Sequence, residues 1–176
     1  MDTPAQPGAS GQYLTFTLDQ TGFGVDVPSV REIVEFGGLT DVPMMPPCVR
    51  GVINLRGAVV PVIDLAARFG RPRMAIGRRT CIVIIEHDDG GDGRHVTGMM
   101  VDAVSAVVEI APDAVEPPPA FGTRLDSAFV RGIATVNGAF VVLLEIARVV
   151  ASEDIRAMLA AGGAADAAAV SAAQEG

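Results

Sequence analysis

The sequence has no lysine, no tryptophan and only two cysteines among its 176 residues. Every one of its 13 strongly basic side chains is therefore an arginine. Cys48 and Cys81 form no recognisable motif, and Cys81 opens an apolar run in which a buried, inert thiol is expected. Aromatic residues make up only 5% of the chain, so we expect the interior to pack through aliphatic side chains.

Long apolar runs are also missing. None approaches the roughly 20 residues that cross a bilayer, and the chain does not start with a charged-then-apolar signal. A net charge of −8 and a pI near 4.6 lack the basic footprint that nucleic acids and anionic membranes require. We therefore expect a cytoplasmic protein with no nucleic acid partner and no direct membrane contact.

What the chain does contain is apolar sequence cut into short pieces. Hydrophobic residues make up 49% of it, and Gly and Pro interrupt the Val, Ile and Ala runs at short intervals, which favours many short strands. We predict a disordered segment over 1–11, one mainly β domain over 12–160 and a disordered tail over 161–176. Helical spacing predicts a long helix over 145–161, a short one over 64–69 and one or two turns containing Val30, Ile33 and Val34.

The most informative stretch is 49–65, which indicates two apolar strands joined at Arg56-Gly57. Gly57 supplies the positive φ of a two-residue turn, which normally prefers Asn or Asp before the glycine. A long side chain such as that of Arg56 is uncommon there. Arg56 therefore either distorts the turn or has another purpose.

The chain also repeats itself. A shift of 81 residues places 49–69 on 130–150, and a shift of 74 places 24–35 on 98–109, with glycines and valines coinciding. Two duplicated half-chains of about five strands each follow, and five short strands joined by tight turns close most economically as a small barrel.

The two copies differ at three informative positions. Arg56 in the first copy corresponds to Asn137, Asn54 to Thr135, and Glu32 to Ala106, as read in the sequence. We predict that Glu32 and Arg56 pair, because the planar fork of arginine suits a carboxylate. The alternative is that they are two unrelated, solvated charges.

Catalytic and ligand-binding signals are weak. His87 and His95 flank the acidic turn 88–93, but their spacing fits no recognised metal pattern, and a solvated hairpin end is the simpler interpretation. No serine lies in a Gly-x-Ser-x-Gly setting, and the turn lacks the features of a phosphate loop. No cofactor, metal or catalysis is predicted. The loop 42–47 carries mixed apolar residues that suit either a contact patch or a barrel plug.

With these motifs the sequence resembles the CheW family of chemotaxis coupling proteins. The matching runs include Tyr13-Leu14-Thr15-Phe16-Thr17-Leu18, Val30-Arg31-Glu32-Ile33, Gly51-Val52-Ile53-Asn54-Leu55-Arg56-Gly57 and Val60-Pro61-Val62-Ile63-Asp64-Leu65. The resemblance covers roughly residues 12 to 160. It implies two intertwined five-stranded Src-homology-3-like β-barrels with a C-terminal helix.

The resemblance also implies a role. Such a protein is a non-catalytic scaffold that couples the cytoplasmic tips of methyl-accepting chemoreceptors to the regulatory domain of a CheA-type histidine kinase, pairing barrel to barrel and closing into rings. It would be recruited to receptor arrays at the inner membrane. The partner-binding residues predicted from the family and from the repeat are Val30, Glu32, Gly51, Asn54, Arg56 and Gly57.

Two alternatives remain open at this stage. The same fold could serve a non-flagellar chemosensory pathway that governs surface motility or development. A small-molecule-binding or enzymatic β-barrel is the third hypothesis.

Overall fold

A computed structural model describes residues 11–41, 43, 48–70, 72, 75–88, 94–117 and 129–150. The predicted disordered segments therefore lie outside the described residues, apart from Gly11, as does nearly all of the apolar loop 42–47. Five strands come from the first half of the chain: β1 Gly11–Leu18, β2 Thr21–Asp26, β3 Val30–Glu35, β4 Val49–Leu55 and β5 Ala58–Asp64.

Five more strands come from the second half. They are β6 Cys81–Asp88, β7 Arg94–Val101, β8 Ala103–Ile110, β9 Val130–Val136 and β10 Ala139–Leu144. Two short helices follow the β4–β5 and β9–β10 hairpins, namely α1 Leu65–Arg68 and α2 Ile146–Val149. Asp64 caps α1, because its side chain accepts a hydrogen bond from the backbone N–H of Ala67 at 3.1 Å.

The ten strands form two five-stranded sheets, each of which takes strands from both halves of the chain. We call the sheet β8-β1-β2-β10-β9 barrel 1 and the sheet β3-β6-β7-β5-β4 barrel 2. In each barrel one parallel pair, β2 with β10 or β7 with β5, joins strands from opposite halves. The predicted fold of two intertwined barrels is therefore confirmed.

A backbone bridge closes each barrel. It joins one edge strand to the segment that follows the other edge strand. Thr40 and Val52 exchange two hydrogen bonds of 2.9 Å in barrel 2, and Glu116 and Ile133 exchange two of 2.8 Å in barrel 1. The bridges occupy equivalent places in the two copies, because Ile133 lies 81 residues after Val52. The repeat seen in the sequence therefore places a closing bridge at the equivalent position of each barrel.

The larger of two core clusters joins the barrels. It combines aliphatic side chains with a row of phenylalanine rings. The rings are stacked with centroids 6.0 Å apart for Phe16–Phe23 and 5.7 Å for Phe23–Phe69, and tilted with centroids 5.4 Å apart for Phe69–Phe129. A smaller cluster fills barrel 1 and contains Tyr13, Ile110, Ala134, Val141 and Leu143. The scarce aromatic residues are thus concentrated where the barrels meet.

Two helix predictions need correction. The segment with Val30, Ile33 and Val34 is strand β3, in which half-buried and exposed residues alternate, and only a single 3₁₀ turn, Val27–Ser29, precedes it. Pairing with β6 overrides the local helical spacing there. The C-terminal helix has four described residues, Ile146–Val149, while residues 151–161 of the predicted helix lie outside the described residues.

Candidate functional site

The β4–β5 turn has the geometry that the sequence predicts, with an unusual residue in it. Arg56 has φ 53° and Gly57 has φ 89°, close to the 52° and 82° of Asn137 and Gly138 in the second copy. The arginine therefore adopts the left-handed conformation without distorting the hairpin. Asn54 supports the turn, because its side-chain oxygen accepts a hydrogen bond from the backbone N–H of Gly57 at 2.9 Å.

Arg56 donates two parallel hydrogen bonds to Glu32 on β3. The Nη1–Oε2 distance is 2.7 Å and the Nη2–Oε1 distance is 2.8 Å, which is the bidentate arrangement of a guanidinium on a carboxylate. The predicted pair is therefore confirmed. The Arg56 side chain is 73% exposed and that of Glu32 is 21% exposed, so the guanidinium faces solvent while its partner is largely covered.

The pair spans the seam between the two edge strands of barrel 2. At one end of this seam the Thr40–Val52 bridge joins the backbones, and at the other end the Glu32–Arg56 pair joins β3 to the β4–β5 turn. Barrel 1 has the equivalent bridge, but its corresponding residues Ala106 and Asn137 cannot form an ion pair. The side-chain closure therefore belongs to barrel 2 alone.

Gly51 lies at the backbone end of the same seam. It has φ 152°, and a Cβ there would collide with the carbonyl oxygen of Thr40. Gly132 holds the equivalent place in barrel 1, where a Cβ would collide with Val115 and the Glu116 carbonyl. Barrel closure thus explains both glycines, and a contact of Gly51 with a partner stays a prediction.

The remaining predicted site residue, Val30, is half-buried and packs against the larger core. It lies two residues before Glu32, next to a register shift in the β3–β6 pairing. The structure thus brings Val30, Glu32, Asn54, Arg56 and Gly57 to one region of barrel 2. Gly51 lies further along the seam.

Four large apolar side chains that the sequence reasoning did not single out are exposed, and Ile76, at 49%, is one of them. Ile33 on β3 is 42% exposed and Val107 on β8 is 54% exposed, and the two are equivalent under the shift of 74 residues. Phe140, at the start of β10, is 73% exposed. Ile33 faces outward because successive residues of a strand point to opposite faces. The helical interpretation of this segment concealed that alternation.

Each barrel also carries an ion pair between equivalent residues. Arg50 Nη1 lies 2.7 Å from Asp64 Oδ2, with side-chain exposures of 14% and 0%. Arg131 Nε lies 3.1 Å from Glu145 Oε1, with exposures of 35% and 36%. The hydrogen bond to Glu145 raises the pKa of the Arg131 guanidinium above its usual value, which keeps it charged.

His87 and His95 face each other across the β6–β7 pair. The rings of His87 and His95 lie 5.7 Å apart, and His87 Nε2 lies 3.0 Å from the Thr97 hydroxyl. Within the described ranges, no group of three His, Cys, Asp or Glu side chains is arranged to hold a metal ion. No helix in the described part of the chain is both long and apolar enough to span a membrane.

Comparisons with known proteins agree with this architecture. A family model described as the CheW-like domain matches residues 12–154. A probable chemotaxis protein CheW from Rhizobium etli is 36% identical over 136 residues, covering 77% of this chain and 84% of the relative. Protein FrzA from Myxococcus xanthus is 30% identical over 118 residues, covering 67% and 71%.

A solved structure is similar over most of its length. The scaffolding protein TtCheW from Thermoanaerobacter tengcongensis matches with a TM-score of 0.74 and 31% identity, covering 88% of this chain and 96% of that chain. The chain therefore belongs to the CheW family of chemotaxis scaffold proteins.

Proposed function

We propose that this protein is a non-catalytic adaptor that couples the cytoplasmic tips of chemoreceptors to the regulatory domain of a CheA-type histidine kinase. The partner-binding surface includes Glu32 and Arg56, with Val30, Gly51, Asn54 and Gly57 around them. The protein acts in the cytoplasm and is recruited to receptor arrays at the inner membrane, where it pairs with the kinase and can enter rings.

The observation that carries this proposal is the bidentate Glu32–Arg56 pair on a turn that does not need it. The equivalent turn forms with Asn137 and Gly138 at nearly the same backbone angles. An exposed ion pair contributes only about 0–1 kcal/mol to stability. Left-handed backbone costs most L-residues about 1–2 kcal/mol, so the pair offers little net stability. A role in presenting shape and charge to a partner protein accounts for the Glu32–Arg56 pair better than stability does.

The test is receptor-dependent kinase activation in a reconstituted mixture of the cognate kinase, a receptor cytoplasmic fragment and this protein. Glu32→Arg and Arg56→Glu should each lower the activation, and the double swap should restore much of it. Direct binding to the kinase and to the receptor fragment, measured separately, shows which partner the surface contacts.

The matched control is Arg131→Gln, which breaks an exposed ion pair in barrel 1 and should leave activation unchanged. If the double swap loses as much kinase activation as the two single variants combined, the role of the pair is refuted. If the unmodified protein changes neither activation nor complex formation, the adaptor proposal itself fails.

The second candidate is the same adaptor role in a non-flagellar chemosensory-like pathway. The match to FrzA supports it, because that relative is not named a chemotaxis protein. The two candidates differ only in the partners, so deletion of the gene followed by swimming and surface-spreading assays separates them. A defect confined to surface spreading would favour the second candidate.

A further inference from the structure

The positive charge of this acidic chain is unevenly distributed. Five of the 13 arginines fall within residues 65–85, a stretch that contains no Asp or Glu, although the net charge of the whole chain is −8. This part of the chain runs from α1, directly after β5, into the first residues of β6. Two of the five, Arg78 and Arg79, are adjacent on a tight turn.

We define the basic turn as Ile76, Gly77, Arg78 and Arg79. Thr80, only 4% exposed, anchors it: its hydroxyl accepts from the Gly77 N–H at 2.7 Å, and its own N–H donates to the Gly77 carbonyl at 3.3 Å. The Thr80 carbonyl in turn accepts from the N–H of Phe36 at 3.2 Å, just beyond the end of β3. The two arginines therefore project from a backbone that is fixed to barrel 2.

Four other described arginines have identified intramolecular partners, whereas Arg31 and Arg148 are exposed single charges that do not adjoin a second arginine. Arg50, Arg56 and Arg131 each bind a carboxylate. Arg68, in the same acid-free stretch, donates to the Val149 carbonyl at 2.6 Å and lies over the ring of Phe129. Arg78 and Arg79 are both exposed, and neither lies within 4.0 Å of a carboxylate among the described side chains.

We propose that the basic turn binds a carboxylate-rich segment of a partner protein. Two exposed arginines on neighbouring residues present two positive charges to one anionic segment, and the planar fork of each matches a carboxylate in the way that the Arg56–Glu32 and Arg131–Glu145 pairs show. Ile76, 49% exposed beside them, supplies an apolar contact. The partner segment therefore combines glutamate or aspartate side chains with an apolar one.

A protein partner fits these observations better than an anionic lipid surface. Outside this stretch the chain is strongly acidic, so a negatively charged bilayer would repel most of the molecule while attracting one turn. A short peptide segment reaches the turn without bringing further negative charge close to the rest of the protein. The basic turn would bind such a segment whether or not the protein is an adaptor, and a synthetic peptide is therefore a sufficient probe.

The experiment uses the full chain and a fluorescein-labelled peptide in which glutamates flank a single leucine, followed by fluorescence anisotropy. The unmodified protein should bind this peptide and fail to bind the version with glutamine in place of each glutamate. The Arg78→Gln/Arg79→Gln double variant should weaken binding by about fivefold or more, since each exposed ion pair contributes up to about 1 kcal/mol. The control Arg148→Gln, which removes one exposed arginine from α2, should bind as the unmodified protein does.

Three results would overturn the proposal. The double variant could bind the glutamate peptide as tightly as the unmodified protein. The glutamine peptide could bind equally well, which would show that charge is not recognised. Vesicles of phosphatidylserine and phosphatidylcholine, or inorganic phosphate, could compete more strongly than the peptide, which would assign the turn to phosphate groups. Thermal unfolding of the double variant verifies that the exposed substitutions leave the fold intact.

Discussion

Arg50 on β4 binds Asp64, the fully buried residue that caps helix α1, at 2.7 Å. Breaking a buried ion pair costs about 3–5 kcal/mol, because the remaining charge loses its compensation in a region of low dielectric constant. We therefore expect Asp64→Asn, which keeps the shape and removes the charge, to lower the free energy of unfolding by about 3 kcal/mol. Urea unfolding at neutral pH measures the change.

The second barrel provides a matched control for this prediction. Glu145 is the equivalent residue, but its pair with Arg131 is about one-third exposed. Glu145→Gln should therefore cost about 0–1 kcal/mol, as surface pairs do. Equal losses in the two variants would show that burial does not determine the contribution of this ion pair.

Exchanging the turn residues separates stability from function. Arg56→Asn installs the Asn-Gly turn of the second copy, and asparagine tolerates the left-handed conformation that Arg56 adopts. We expect the unfolding free energy to stay within about 1 kcal/mol of the original, because the lost surface pair and the relieved strain offset each other. Receptor-dependent kinase activation should fall.

The reverse exchange, Asn137→Arg, is the control for that variant. It places a long side chain at φ 52° with Ala106 where Glu32 would be, so it should destabilise the protein by about 1 kcal/mol and leave kinase activation unchanged. Loss of activation in this variant and not in Arg56→Asn would contradict the assignment of the site to barrel 2.

Gly51 and Gly132, which lie where the two barrels close, should tolerate no side chain. Gly51→Ala places a Cβ against the Thr40 carbonyl at a positive φ, and Gly132→Ala places one against Val115 and Glu116. Each should cost about 3 kcal/mol or more, since the collision involves backbone that closes the barrel. Gly37→Ala, with no atom within 4 Å of its Cβ, is the control and should change stability by less than about 0.5 kcal/mol. Chemical denaturation of the three variants checks the order.

Arg68 should hold the end of α2 in place. Its Nε donates to the Val149 carbonyl at 2.6 Å, and its guanidinium lies 4.5 Å from the centroid of the Phe129 ring. Arg68→Ala removes a charge-assisted hydrogen bond and a cation–π contact, so we expect a loss of about 2 kcal/mol. Hydrogen exchange should speed up at the backbone amides of Val149 and Val150. Arg148→Ala, on the exposed side of α2, should leave both measurements unchanged.

Much of the fold follows from local patterns. Alternation, turn residues and the repeat predict the β4–β5 hairpin, its equivalent β9–β10 and the short helix over 64–69, because hairpins and short helices depend on residues only a few positions apart. The Asp19-Gln20 turn joins β1 to β2 with a less usual pair of residues. Both residues have positive φ, 54° and 68°, and neither is glycine. Local spacing predicts a helix where strand β3 lies, because the pairing of β3 with β6 cannot be deduced from six residues alone.

The candidate site is also predictable from the sequence only in part. The difference between the copies at residues 32 and 56 predicts the Glu32–Arg56 pair, since an arginine at an asparagine position requires an explanation. The seam that the pair spans could not be foreseen, because it depends on which strands become the edges of barrel 2. The burial of Asp64 and the anchoring of the basic turn by Thr80 likewise appear only after strands from both halves are assembled.

The sequence by itself determined that this protein is a duplicated, aliphatic, mainly β chain of the CheW type, with one charged pair added to its first copy. Periodicity, turn residues and repetition are properties that can be identified in the sequence alone. Only the tertiary structure decided which strands become the edges of each barrel, that Glu32 and Arg56 close one seam of two, and that Arg78 and Arg79 face solvent. Each of these depends on contacts between residues far apart in the chain, for which spacing along the sequence carries no information.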